Sequence, residues 1–128
     1  MLYDKKWERT ENELSQTLSR AAGLLEKHGH TKGVRLDGNG SMCILGAITA
    51  AQGLRPDQPY PDGPLTFEAA GAVMRAMGLK SDIRAGFDVR YHVVDWNNDA
   101  KRTGQEVIDA LRMAAEVARQ NTMETQNA

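Results

Sequence analysis

The sequence predicts an all-α, mainly helical fold: a compact single-domain bundle of four or five helices with a proline-rich loop. Three observations predict it. Apolar residues recur at helical spacing in long stretches at both ends of the chain. Two of these stretches open on a threonine followed three residues later by glutamate, the pattern of a capping box. The one short run that alternates like a strand has no second run to pair with. The domain is expected to span residues 1–120, with 121–128 as a disordered polar tail.

In sequence order, "TENE" places Glu13 three residues after the hydroxyl of Thr10, so a first helix is expected to start there. Leu14, Leu18, Ala21, Ala22 and Leu25 then share one face, and Gly29 within "HGH" ends the helix. After a connection containing Val34 and Leu36, "DGNG" makes a turn, and Ser41 or Asn39 is expected to cap a second helix that runs to about Gln52 and stops at Gly53. Apolar residues surround this helix, the pattern of an element buried on most sides, so it should be central. Cys43, Gly46, Ala47 and Ala50 lie at i, i+3, i+4 and i+7 and form a face of small side chains that admits a close helix neighbour.

"LRPDQPYPDGPLT" holds every proline of the protein and is read as a loop with a surface or functional role, Tyr60 being its one large side chain. Thr66 is expected to cap a third helix with Phe67, Ala70, Val73 and Met77 on one side and Gly78 as its stop. Between residues 81 and 96 the pattern is mixed. Val89, Tyr91 and Val93 alternate, whereas Val89, Val93 and Trp96 match a helix, which is the reading preferred. The last helix opens on the capping box Thr103–Glu106 and continues through Val107, Ile108, Leu111, Ala114, Ala115 and Ala118, with fraying expected beyond Gln120.

Composition narrows the function. The 128 residues carry 16 basic and 17 acidic side chains, and neither sign forms a block, so nothing marks a nucleic-acid footprint. One cysteine forms no internal disulfide, which fits a reducing compartment and a cytoplasmic location. No signal-like or membrane-length apolar run is present.

Four features could carry chemistry. Cys43 at a helix start could act as a nucleophile with His92 as base and Asp95, Asn97 or Asp99 as orienting group, but free cysteines commonly behave as small buried hydrophobes, the reading taken here. His28, His30 and His92 lack the spacing of metal ligands, so neither a metal nor another cofactor is expected. "DGNG" lacks the lysine of a P-loop, yet with Arg35 beside it a small anionic ligand or nucleotide could be held at the turn Asp37–Ser41. "DWNNDAKRT" reads as Trp96 anchoring the terminal helix, with Asn97, Asn98 and Asp99 making turns before Thr103. Its functional reading is a recognition loop touching a partner. Trp7 and Tyr3 form a staple or a docking handle.

Three segments, "EKHGHTKG", "GSMCILGAITAA" and "VVDWNNDAKRTGQEVIDALRMAAEVA", together resemble a family of short proteins of unknown function from actinobacteria and their phages. That family has a first helix ending near G-W-T-Q-G, a C-x-x-G-A helix, and a W-N-D segment before a capped terminal helix. Gly29, Thr31 and Gly33 match the first piece, with His30 in place of tryptophan; Cys43, Gly46 and Ala47 match the second; Trp96, Asn97, Thr103 and Glu106 match the third. Asn98 stands at the family's aspartate, and Asp99 follows it. The resemblance implies a shared fold and no mechanism. The expected role is that of a non-enzymatic accessory or interaction protein, monomer or homodimer, which binds a host macromolecule, a host protein foremost, through the proline-rich loop and the Trp96 region. It would act in the host cytoplasm if phage-encoded. Small-molecule or nucleotide binding at the Asp37–Ser41 turn near Arg35, and a cysteine-dependent hydrolase using Cys43, are the alternatives.

Overall fold

The computed structural model describes the backbone of residues 5–57, 63–78 and 89–127, and side chains within 13–57, 63–78 and 89–121. Its helices are α1 (Lys5–His28), α2 (Ile44–Ala51), α3 (Thr66–Ala76), α4 (Val89–Asn98) and α5 (Gly104–Asn127). The described residues form no strand, only single-residue bridges that join Met42 to His30 and to Leu36. The fold is therefore all-α, as the periodicity predicts.

Helices α1 and α5 make the longest pairing. It is antiparallel: Glu26 pairs with Arg112 near one end, while Leu14 shares a groove with Ala114 and Ala118 toward the other. Leu18, Ala21, Ala22 and Leu25 of α1 meet Val107, Leu111, Ala114 and Ala115 of α5 in the buried core. The short helix α2 is buried along nearly its whole length and contacts α1, α3 and α4, so it is the central element. Its composition is apolar on all sides because no side faces water.

Several boundaries differ from expectation. Helix α1 begins at Lys5, five residues before Thr10, so "TENE" lies inside a helix rather than at its start. Lysine, glutamate and arginine around Trp7 are good helix formers, and no breaker separates them from the capping pattern. Helix α2 starts at Ile44 with Cys43 as its N-cap, not Ser41 or Asn39, because residues 41–43 are held extended by backbone bonds to Gly29, Thr31 and Arg35. Thr66 is the first residue of α3, not its cap; Leu65 precedes it and offers no capping group, and the Thr66 hydroxyl accepts a bond from Gln52 Nε2 at 2.8 Å. The buried face of α3 comprises Thr66, Ala69, Ala70 and Val73, leaving Phe67 half exposed. Helix α4 extends through Asn98, so Asn97 and Asn98 are helical rather than turn residues. Helix α5 runs to Asn127. The preferred helix over residues 81–96 is present from Val89 onward, residues 79–88 lying outside the described set.

The capping box of α5 forms as expected. Thr103 Oγ1 accepts from the Glu106 amide at 3.1 Å, and Glu106 returns a carboxylate to the Thr103 amide at 2.9 Å. That amide, helped by the Thr103 hydroxyl and by Arg102, holds the Glu106 carboxyl below the usual range. The stability it adds is therefore present at neutral pH and lost as pH falls through that lowered pKa.

Candidate functional site

Gly29 leaves α1 with φ 98°, a conformation open to glycine, and starts a segment that doubles back over the helix end. Met42 N donates to Gly29 O at 3.0 Å, and Thr31 N donates to Met42 O at 2.9 Å. Ser41 Oγ donates to His28 O, one of the orphan carbonyls at the end of α1. This fastening presents residues 30–33 to the C-terminal end of α4.

Asn97 sits at the meeting point, with 0% of its surface exposed. Its Oδ1 accepts from the Ile44 amide at 3.0 Å and lies 2.8 Å from His30 Nε2. Its Nδ2 donates to Thr31 O at 3.3 Å and to Asn98 Oδ1 at 3.0 Å. Both lone pairs and both N–H groups of the amide are thus in use. The Ile44 N–H fixes Oδ1 as an acceptor, so His30 donates from Nε2. Asn98 Oδ1 also accepts from Gly33 N at 3.0 Å. One amide ties the segment after α1, the start of α2 and the end of α4.

Basic side chains complete the junction. Lys32 Nζ donates to Asp99 O at 2.6 Å, and Arg102 Nε donates to Trp96 O at 3.2 Å, both at the negative end of the α4 dipole. The Arg102 guanidinium also lies 4.3 Å from the centroid of the Trp96 ring. Trp96 is partly buried against the core, one face covered by Arg102. Asp99 makes the expected turn, its carboxylate accepting from Lys101 N at 2.8 Å. His30, Lys32 and Arg102 have no periodic or motif signal that would have joined them to Asn97 in the sequence; their partners are set by the fold.

The three sequence pieces that meet at Asn97 lie within the span matched by a family model described as "Family of unknown function (DUF6197)", residues 9–117. The chain belongs to this family. No curated protein and no solved structure matches it. In this DUF6197 member the Gly29–Gly33, Cys43–Ala47 and Trp96–Glu106 pieces share one junction, and their contacts across it are internal hydrogen bonds. Asn98 uses its side-chain oxygen there, a contact that a carboxylate would make equally.

The turn Asp37–Ser41 is likewise internally satisfied. Asp37 Oδ1 accepts from the amides of Asn39 and Ser41, each at 2.9 Å, and Asp37 O accepts from Gly40 N. Two of the turn's amides, those of Asn39 and Ser41, are thus taken by the protein's own carboxylate. Arg35 contributes its backbone: its carbonyl accepts from Cys43 N at 3.2 Å.

Cys43 is buried, and its thiol caps α2 by accepting from Gly46 N at 3.5 Å. Burial pushes the thiol up, and the amide bonds from Gly46 and Leu45 and the charge of Arg35 pull it down without reversing that shift. A raised thiol is a poor source of thiolate. An aromatic disulfide reagent is therefore expected to modify native Cys43 about a hundredfold or more slowly than the urea-unfolded protein, since reaction requires local opening. Equal rates in the two states would show an accessible thiol.

His92 lies five residues before Asn97, roughly 140° around α4 at helical pitch, so it is not on the face that meets the Cys43 end of α2. Among the described residues no three His, Cys, Asp or Glu side chains gather closely enough to hold a metal ion. Tyr60, Tyr3 and the side chain of Trp7 lie outside the described residues. Gln52, which the sequence marks only as the end of α2, closes the base of the proline-rich loop by donating to Thr66 Oγ1 and accepting from Leu65 N. No helix among the described residues is long and apolar enough to cross a membrane.

Proposed function

We propose that this DUF6197 protein is a non-enzymatic accessory protein of an actinobacterium or its phage, cytoplasmic, and in the host cytoplasm if phage-encoded, that binds a host protein. The observation that carries this reading is a contiguous apolar surface on α5 and α3. Met113 and Val117, 52% and 42% exposed, stand one turn apart on α5. Val117 continues into a groove of about 320 Å³ whose walls include Leu14, Ala72, Ala76, Ala114 and Ala118, with Arg75 the single charged side chain among its described lining. Continuous apolar surface of this kind is more often a contact site than isolated exposed side chains are.

An alanine-lined groove suits the large apolar side chains of an amphipathic helix, and Arg75 favours an acidic residue beside them. The polar junction at Asn97, by contrast, is used inside the molecule. The raised thiol of Cys43 weighs against a cysteine hydrolase, and the Asp37 carboxylate weighs against an anion site at the turn.

The test is native mass spectrometry of the tagged protein purified gently from an actinobacterial host, beside Val117→Asp. The expected result is one stoichiometric host protein on the wild type and none on the variant. A monomer or homodimer that carries only a small molecule, with no protein, in both samples would overturn the reading in favour of ligand binding.

A further inference from the structure

The turn "DGNG" contains two pairs that are chemically able to form a succinimide, Asp37–Gly38 and Asn39–Gly40, because glycine places no Cβ in the way of its own amide nitrogen. The fold separates them. The Asp37 carboxylate is engaged by two amides at 2.9 Å, those of Asn39 and Ser41, and attack on its carbon by Gly38 N would break both bonds. Asn39 is exposed, and the nitrogen that follows it belongs to Gly40 at φ 88°, held only by a longer bond of 3.2 Å to Asp37 O.

We infer that Asn39 is a site of spontaneous deamidation, and that Asp37 is protected from the equivalent isomerisation. In the first step the deprotonated Gly40 nitrogen attacks Asn39 Cγ. A bond forms between that nitrogen and Cγ, the bond from Cγ to Nδ2 breaks, and the leaving nitrogen takes up a proton and departs as ammonia. Water then opens the five-membered imide at either carbonyl, giving aspartate or isoaspartate. The net exchange is one water in and one ammonia out, with no redox change.

The two products differ in consequence. Aspartate adds a charge at an exposed position and leaves the backbone as it was. Isoaspartate inserts a methylene into the backbone between the amides that Asp37 holds, in a turn whose closing bond, Asp37 N to Ser41 O at 2.9 Å, precedes the Met42 contacts to Gly29 and Thr31. The isoaspartate form should therefore melt several degrees below the parent, whereas Asn39→Asp should melt with it.

The experiment incubates the folded protein and the urea-unfolded protein at mildly alkaline pH, then maps peptides by mass spectrometry with a fragmentation method that separates aspartate from isoaspartate. In the folded protein, Asn39 should convert at least about tenfold faster than any other asparagine, as the one followed by glycine. Asn39→Gln should abolish that signal, and isoaspartate at Asp37 should be confined to the unfolded sample. The inference fails if folded Asn39 stays intact while unfolded Asn39 converts. It fails equally if Asp37 isomerises in the folded protein, or if the signal persists in Asn39→Gln.

Discussion

Gly46→Ala should destabilise the protein by about 3 kcal/mol or more, because the added methyl group has nowhere to go. A Cβ built on Gly46 would stand 2.0 Å from the Arg35 carbonyl oxygen and 2.9 Å from its carbon. Both atoms belong to backbone, and the same oxygen accepts the Cys43 amide, so the segment cannot retreat without losing the bond that sets the start of α2. The control is Gly23→Ala. Gly23 lies exposed within α1, nothing stands within 4 Å of its would-be Cβ, and alanine there should stabilise by about 0.5–1 kcal/mol through helix propensity. Thermal melts followed by circular dichroism read both changes. At roughly 4 °C per kcal/mol for a protein of this size, Gly46→Ala should lower Tm by about 10 °C or more. A Tm close to that of the wild type would show that the segment yields more readily than its bonds imply.

Position 46 also shows what the sequence could convey. The run of small residues at Cys43, Gly46, Ala47 and Ala50 marks a close approach, and at Gly46 there is one, but what approaches there is the non-helical backbone of Arg35 and not a helix. Spacing reports the side chains of one element and says nothing of what packs on them. The paired capping motifs make the same point. "TGQE" caps α5 because Asp99 and the residues after it have already ended α4, whereas "TENE" is preceded by helix formers and is absorbed into α1. The helices themselves were legible, since their buried faces leave a periodic trace in the sequence. The junction was not, because Asn97 joins residues 53 and 67 positions away through single hydrogen bonds that have no period. Asparagine there reads as a turn former, and only the fold shows it as a fastening.

That fastening predicts a sharp contrast between neighbouring asparagines. Asn98→Asp should change stability by no more than about 0.5 kcal/mol, since the side chain acts through Oδ1 alone, accepting from Gly33 N and Asn97 Nδ2. Asn97→Asp should cost about 3 kcal/mol at neutral pH, although the substitution changes the size of the residue by almost nothing. An aspartate at 97 keeps the acceptor for Ile44 N but turns its second oxygen toward Thr31 O and Asn98 Oδ1, acceptor against acceptor, in a site closed to water. Burial and those oxygens would raise its folded pKa above the unfolded value of about 3.9. The loss should therefore be greatest above the folded pKa and shrink as pH falls through it, when a proton restores one donor. Urea unfolding of both variants at neutral and at mildly acidic pH measures this directly. Equal, small effects at 97 and 98 would mean that the Asn97 amide donors contribute little, and that the junction is held by the Ile44 and His30 contacts alone.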